Sequence, residues 1–304
     1  MRKFIPILLV SIIVLALSSC FLAKRVDTRW AMNRNECKKL KGEVLVYTIF
    51  VDSKTSKPWV GYDIQSAVDS VQYAVDWIKE KANAEGVPLN IQFDYYQSNK
   101  KFVPLKKELP DKSLYKSFTL EVKDGTDKIN KWANALAKKV MVGMGSSATE
   151  KLPPGIPKSN LSKLVSKLKK KYQVDCVVLL FMMNNYYIQD AYVTCNYGSD
   201  DEIEYGINSY KDPSIIAQQI ITLFGASPLQ PSSLSKMQVQ YLGFAQKEFP
   251  KDIMVDYKDP LSVLEIGAYT RYLIGWTNKI DPEYEKLFIM VKSNKNHKQI
   301  KMYK

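Results

Sequence analysis

Three polar side chains share one face of an otherwise apolar stretch: Gln218, Gln219 and Thr222, in the run Ser214-Ile-Ile-Ala-Gln-Gln-Ile-Ile-Thr-Leu-Phe-Gly225. Helix positions i, i+1 and i+4 are the spacing by which H-E-x-x-H offers two imidazoles to a zinc ion and a carboxylate to its water. Neither an imidazole nor a carboxylate occupies them here. A glutamine amide is a weak donor to zinc, threonine lacks the basicity to hold it, and Gln219 cannot accept a proton as a carboxylate does. The chain has a single histidine, His297, in a basic tail. That excludes mechanisms built on a histidine pair and leaves no Ser-His-Asp set to assemble.

The other reactive side chains are four cysteines, none in a C-x-x-C spacing that would favour a metal site. The strand-like runs Cys176 to Met183 and Tyr187 to Cys195 flank Asn185-Tyr186. If those two residues make a tight turn, Cys176 and Cys195 oppose each other at roughly 4.5–5.5 Å between Cα atoms, within disulfide range. Asn-Tyr is a poor primed turn, so two buried free thiols are the alternative, and Cys37 reads as a free thiol. Asp200, Asp201, Glu202 and Glu204 lack the EF-hand spacing and read as a solvated acidic loop.

The elements that must position these groups are legible in the periodicity. Asp212-Pro213 starts the polar-trio helix, with the aspartate capping orphan N–H groups and the proline losing none; Gly225 stops it. Glu43 to Asp52 is β-branched and apolar and reads as a buried strand. Residues 63–84 then form a long helix with Ile64, Ala67, Val68, Val71, Ala74, Val75 and Ile78 at helical spacing. Leu89 to Tyr95 alternates as a strand, 125–140 and 161–172 read as helices, and the runs at 176–183, 187–195 and 202–207 as strands. Tyr73, Trp77, Tyr95 and Tyr96 fit core or rim positions better than a stacking platform. The lysine-rich stretch 97–124 is a surface excursion.

Ala217-Gln-Gln-Ile-Ile-Thr-Leu-Phe-Gly-Ala226-Ser-Pro-Leu229 resembles the H-E-x-x-H-L-F-G-A-x-D-L segment of metzincin-like bacterial lipoproteins, zinc-dependent peptidases whose third ligand is an aspartate. Leu-Phe-Gly-Ala matches in register. Phe249-Pro-Lys-Asp-Ile-Met254 resembles that family's Met-turn region, and Tyr272-Leu-Ile-Gly-Trp276-Thr277 the end of its C-terminal helix. The resemblance implies an α+β fold. It predicts a zincin-like mixed sheet with helices packed on it, a site helix over 212–225 and a C-terminal helical subdomain. It also locates what is missing: the ligand positions hold Gln218, Thr222 and Pro228, and the general-base position holds Gln219. Gly225 and Met254 remain. A vestigial cleft of Gln218, Gln219, Thr222, Gly225, Pro228 and Met254 is therefore expected, with no catalytic residue, metal or other cofactor.

The N-terminus supplies the address. Arg2 and Lys3 precede an apolar run from Phe4 to Leu17, and Leu17-Ser18-Ser19-Cys20 resembles the bacterial lipobox. The run is short for a membrane crossing, which needs about 20 apolar residues. The sequence thus predicts a signal peptide over 1–19 and lipid attachment at Cys20. A tether over 20–42, a domain over 43–290 and a basic tail over 291–304 follow. With no acidic residue just after Cys20, the domain is expected to face the periplasm of a bacterial envelope.

The 304 residues carry 44 Lys and Arg against 31 Asp and Glu, a net charge of +13. The signal removes only two cations, so the basic balance belongs to the folded body. Its composition is that of a globular protein, not of a disordered or collagen-like one. These features predict a membrane-anchored pseudoenzyme that binds a peptide or protein in its degenerate cleft, with no nucleic-acid partner. Two alternatives stay open: an envelope adaptor that meets anionic lipid or cell-wall polymer through its basic surface, and an enzyme with a different site.

Overall fold

The computed structural model describes residues 23–26, 29, 35–97, 104–110, 122–145, 159–184, 191–193, 203–209, 211–229 and 240–292. The signal peptide, Cys20, Cys195, Asp200 to Glu202 and His297 lie outside them. In chain order the elements are β1 (Ala23–Val26), β2 (Gly42–Asp52), α1 (Gly61–Ala84), β3 (Leu89–Tyr95), β4 (Leu105–Lys106), α2 (Val122–Gly143), α3 (Asn160–Tyr172), β5 (Cys176–Met183), β6 (Ala191–Val193), β7 (Tyr205–Asn208), α4 (Pro213–Leu223), α5 (Leu242–Glu248), α6 (Ala268–Leu273) and β8 (Ile289–Lys292). Short 3-10 turns at Leu261–Val263 and Pro282–Leu287 separate the last elements.

The chain folds as a mixed α/β structure around a sheet of order β3-β2-β5-β7-β6, with β4 pairing in parallel with the end of β2. Strands β3, β2, β5 and β7 are parallel, and β6 runs antiparallel at the edge. Because both faces are covered, β5 is apolar throughout and β2 is apolar from Val44 to Val51 except for the buried Thr48, instead of alternating. Val44, Val46, Val178 and Leu180 point to one face, where α1 and α4 pack. Leu45, Tyr47, Ile49, Val177, Leu179 and Phe181 point to the other, under α2 and α3. Phe181 meets Trp132 and Tyr205 edge-on, with centroids 5.2 and 5.6 Å apart. A third cluster, around Leu229, Phe249, Tyr269, Tyr272 and Phe288, forms the C-terminal helical part.

The local signals explain the element ends. Asp212 Oδ1 accepts the Ser214 N–H at 2.8 Å, with Pro213 in the first turn of α4. Ser159 Oγ accepts the Ser162 N–H at 3.1 Å to cap α3, which ends at Gln173 in the left-handed region. Helices α1 and α2 overrun their expected spans of 63–84 and 125–140 by a turn or less. Trp77 and Tyr96 are buried in the core, and Tyr73 stands half out of the surface of α1.

Three expectations are corrected. Strands 176–183 and 187–195 do not form a hairpin: β5 lies between β2 and β7, parallel to both, and β6 pairs with β7. Burial on both faces favours parallel neighbours for so apolar a strand, and this outweighs proximity in sequence. Cys176 is accordingly a free buried thiol, and the Cys176–Cys195 pairing loses the geometry that suggested it. The 20–42 segment is not a loose tether throughout. Cys37 and Leu40 are fully buried, Leu40 N–H donates to Ile274 O at 3.0 Å, and Trp276 Nε1 donates to Leu40 O at 2.7 Å. At the other end, β8 carries the fold to Lys292 by pairing with β1, two residues beyond the expected domain boundary. No helix among the described residues is long and apolar enough to cross a membrane.

Candidate functional site

Helix α4 buries Ile216, Ala217, Ile220, Ile221 and Leu223 against the sheet and α1. Its polar trio does not converge on one point. Gln218 is half-buried, and its Nε2 donates to Ile253 O at 3.0 Å. Its neighbour Gln219 is buried and turns the other way, with Nε2 donating to Ile207 O at 3.0 Å. Gly206 makes room for it, since a Cβ there would lie 2.8 Å from Gln219 Cδ. Thr222 Oγ1 donates back to Gln218 O at 2.8 Å. One amide therefore ties α4 to the 252–254 turn, the other ties it to β7, and the hydroxyl is spent on the helix itself.

The flanking residues of the expected cleft are placed beside the trio. Gly225 adopts φ +98, a conformation that L side chains rarely take, and its N–H donates to Thr222 O at 2.9 Å to close the helix. Pro228 is half-buried and offers no donor. Met254 is fully buried in the core that holds α4, and its carbonyl accepts the Leu229 N–H at 2.7 Å. The sequence-selected residues are thus gathered in one region. They act there as packing and staple groups, because a side-chain amide near a buried carbonyl lowers its energy most by bonding to it.

That region is organised by a carboxylate the sequence did not single out. Asp252 is buried. Its Oδ1 accepts the Met254 N–H at 2.7 Å, and its Oδ2 accepts the Gly267 N–H at 2.9 Å and the Thr270 hydroxyl at 2.8 Å. Burial pushes its pKa up to about 6, against the pull of these three donors. Glu204, grouped in the sequence with a solvated acidic loop, is fully buried. Burial raises it to about 7, although it accepts the N–H groups of Glu36 and Cys37.

The two shifts have the same sign, so they predict one pH response. A carboxyl whose folded pKa is raised holds a proton that the unfolded chain would release. Its stabilisation is complete below the ordinary value, 4.5 for Glu204 and 3.8 for Asp252, and is lost as pH rises through about 7 and about 6. The urea midpoint is expected to increase as pH is lowered from about 7.5 to about 5.5, and E204Q to flatten the upper part of that rise. A midpoint that falls across this window would refute the assignment.

A second polar cluster lies at the carboxyl ends of β2 and β5. Asp63, buried in the first turn of α1, accepts from Lys211 Nζ at 2.5 Å and Asn184 Nδ2 at 2.9 Å. Lys211 also lies 5.5 Å from the Trp59 ring centroid. Burial raises the Asp63 pKa, but the bonds from Lys211 and Asn184 and the nearby positive charge outweigh it, so the net shift is downward. Its contribution thus has the opposite sign: present above the ordinary value of 3.8 and lost as pH falls through the depressed one. An open groove of about 390 Å³ runs along the outer face of α1, lined by Tyr62, Gln65, Ser66, Asp69, Ser70, Tyr73 and Pro213. It is separate from the α4 trio.

Among the described residues, no group of three or more His, Cys, Asp or Glu is placed to hold a metal ion. No protein-family model, curated protein or solved structure matches the chain.

Proposed function

We propose that this chain is an envelope lipoprotein, anchored through Cys20, whose zincin-like domain has exchanged catalysis for the binding of an extended peptide or protein segment. The observation that carries the reading is the fate of the first two ligand positions and of the general-base position. Gln218, Gln219 and Thr222 hold no metal-binding chemistry, and their donors secure α4 to β7, to the 252–254 turn and to itself. The order of elements, the glycine-ended α4 and the buried Met254 beside it are what the family resemblance implies, and they support the retained scaffold. Binding falls to the sheet edge: β6 is terminal, pairs only with β7 among the described residues, and lies against α4. An extended segment can add along such an edge through its backbone.

Elemental analysis of the purified protein, paired with a peptidase assay on a mixed peptide library, tests the first half. The expected result is no stoichiometric zinc and no cleavage; bound zinc with cleavage overturns it. Hydrogen exchange in the presence of a peptide selected from the same library tests the second. Slowed exchange over 191–193 and 205–208 is expected. Binding to anionic vesicles that collapses with salt, with no protection of this edge, would replace the reading by the basic-surface adaptor.

A further inference from the structure

Cys37 and Cys176 stand 139 positions apart in the chain, yet their Sγ atoms lie 3.9 Å from each other and both side chains are buried. Their chain neighbours hold them there. Glu36 accepts the Val177 N–H at 3.1 Å, so the residue before one cysteine is bonded to the residue after the other. Lys169 meets the same Glu36 carboxylate at 3.1 Å. Glu204 Oε2 accepts the N–H groups of Glu36 at 3.0 Å and Cys37 at 3.3 Å. On the far side of the loop, Leu40 is fastened to Ile274 and Trp276, while Cys176 is in register with Val44 on the neighbouring strand. The pair is therefore fixed from both chain segments. Among the described residues no metal-ligand set surrounds the two thiols, and the chemistry that their adjacency opens is oxidation.

We propose that Cys37 and Cys176 are a disulfide site that locks the membrane-proximal segment 35–42 to the central sheet. A disulfide donor, small-molecule or protein, is the oxidant. The thiolate of one cysteine attacks the donor, forming a mixed disulfide and releasing one thiol. The thiolate of the second then displaces the donor's remaining half, so that one S–S bond forms in the chain. Two protons and two electrons leave with the donor, which departs as two thiols. In the folded state both sulfurs are shut from solvent, and the hydrogen bond to Cys176 together with burial raises the Cys37 thiol well above its ordinary pKa. Exchange therefore proceeds while the chain is folding, and the closed bond is shielded from reductants. The loop it closes is long, which is where such a bond restricts the unfolded chain most.

The test uses the full chain with Cys20→Ser, so that three thiols remain, refolded from denaturant in a mixture of reduced and oxidised glutathione. Non-reducing peptide mapping is expected to show Cys37 joined to Cys176, with Cys195 open to alkylation. Reduction is expected to lower the thermal midpoint by roughly 5–10 °C. Adding Cys195→Ser keeps the link, and adding Cys37→Ser removes it; if the latter variant does not fold, the Cys195→Ser variant still decides. A link between Cys176 and Cys195, or three alkylated thiols after refolding, overturns the proposal. Oxidation in the cell rests on the proposed envelope placement. A link formed in the refolding reaction but missing from protein isolated from cells would count against that placement and leave the site standing.

Discussion

Replacing Asp252 by alanine is expected to lower the unfolding free energy by about 3–5 kcal/mol, read as a fall in the urea midpoint at unchanged slope. The carboxylate is the shared acceptor for Met254 N–H, Gly267 N–H and the Thr270 hydroxyl, and it is almost wholly removed from solvent. Alanine leaves three donors without their acceptor and a void in their midst, and each buried donor without a partner costs about 1–3 kcal/mol. Because Asp252 joins the 252–254 turn to the start of α6, the loss should spread to the backbone on which Gln218 rests through Ile253 O. D252N keeps one accepting oxygen and the volume of the side chain, so about half the penalty or less is expected. An alanine variant that unfolds with the natural chain would show that this carboxylate is not the organising group.

Gly206→Ala is expected to cost about 2–3 kcal/mol, a large effect for one methyl group. The added Cβ would sit 2.8 Å from Gln219 Cδ, 3.0 Å from Gln219 Nε2 and 2.9 Å from Leu180 Cδ2. To relieve the first two contacts Gln219 must withdraw, and it then surrenders its bond to Ile207 O. Gln219→Ala alone should cost about 1–2 kcal/mol, for the lost bond and the space left behind. In the double variant the small side chain at 219 accommodates the methyl at 206, and only the tip of Leu180 has to move. The combined loss should fall short of the sum of the single losses by about 1 kcal/mol or more. Strict additivity would mean that Gly206 and Gln219 are not packed as a pair.

In the sequence, Gln218, Gln219 and Thr222 share a helical face and look like the remains of a ligand set. In three dimensions they are spent on stability, each bonded to a nearby carbonyl. The proposed binding therefore falls to the edge strand β6, which pairs only with β7 among the described residues, and not to these side chains. The buried carboxyls have a comparable role. Asp252 gathers the 254 and 267 amides, and Glu204 the adjacent 36 and 37 amides of a segment 167 or more positions away.

The sequence alone determined what depends on near neighbours. Helix α4 and its ends followed from Asp212-Pro213 and Gly225, because capping and backbone conformation are decided within a few residues. The burial of β2 followed from its β-branched, largely apolar run from Glu43 to Asp52. The absence of paired histidines needed only counting. Which strand lies beside which was decided only by the tertiary structure, and with it which polar atoms meet. β5 took two parallel partners instead of the adjacent hairpin. Cys176 came to rest against Cys37, not in line with Cys195. Asp252 and Glu204 were drawn inside, although as residues in a sequence they look like any exposed acid. The physical reason is common to all of these. A buried donor, acceptor or thiol is stabilised by whatever the fold brings within a few ångströms, and partners 15 positions away, as Gly267 is from Asp252, or 168 away, as Glu36 is from Glu204, leave no periodic trace in the chain.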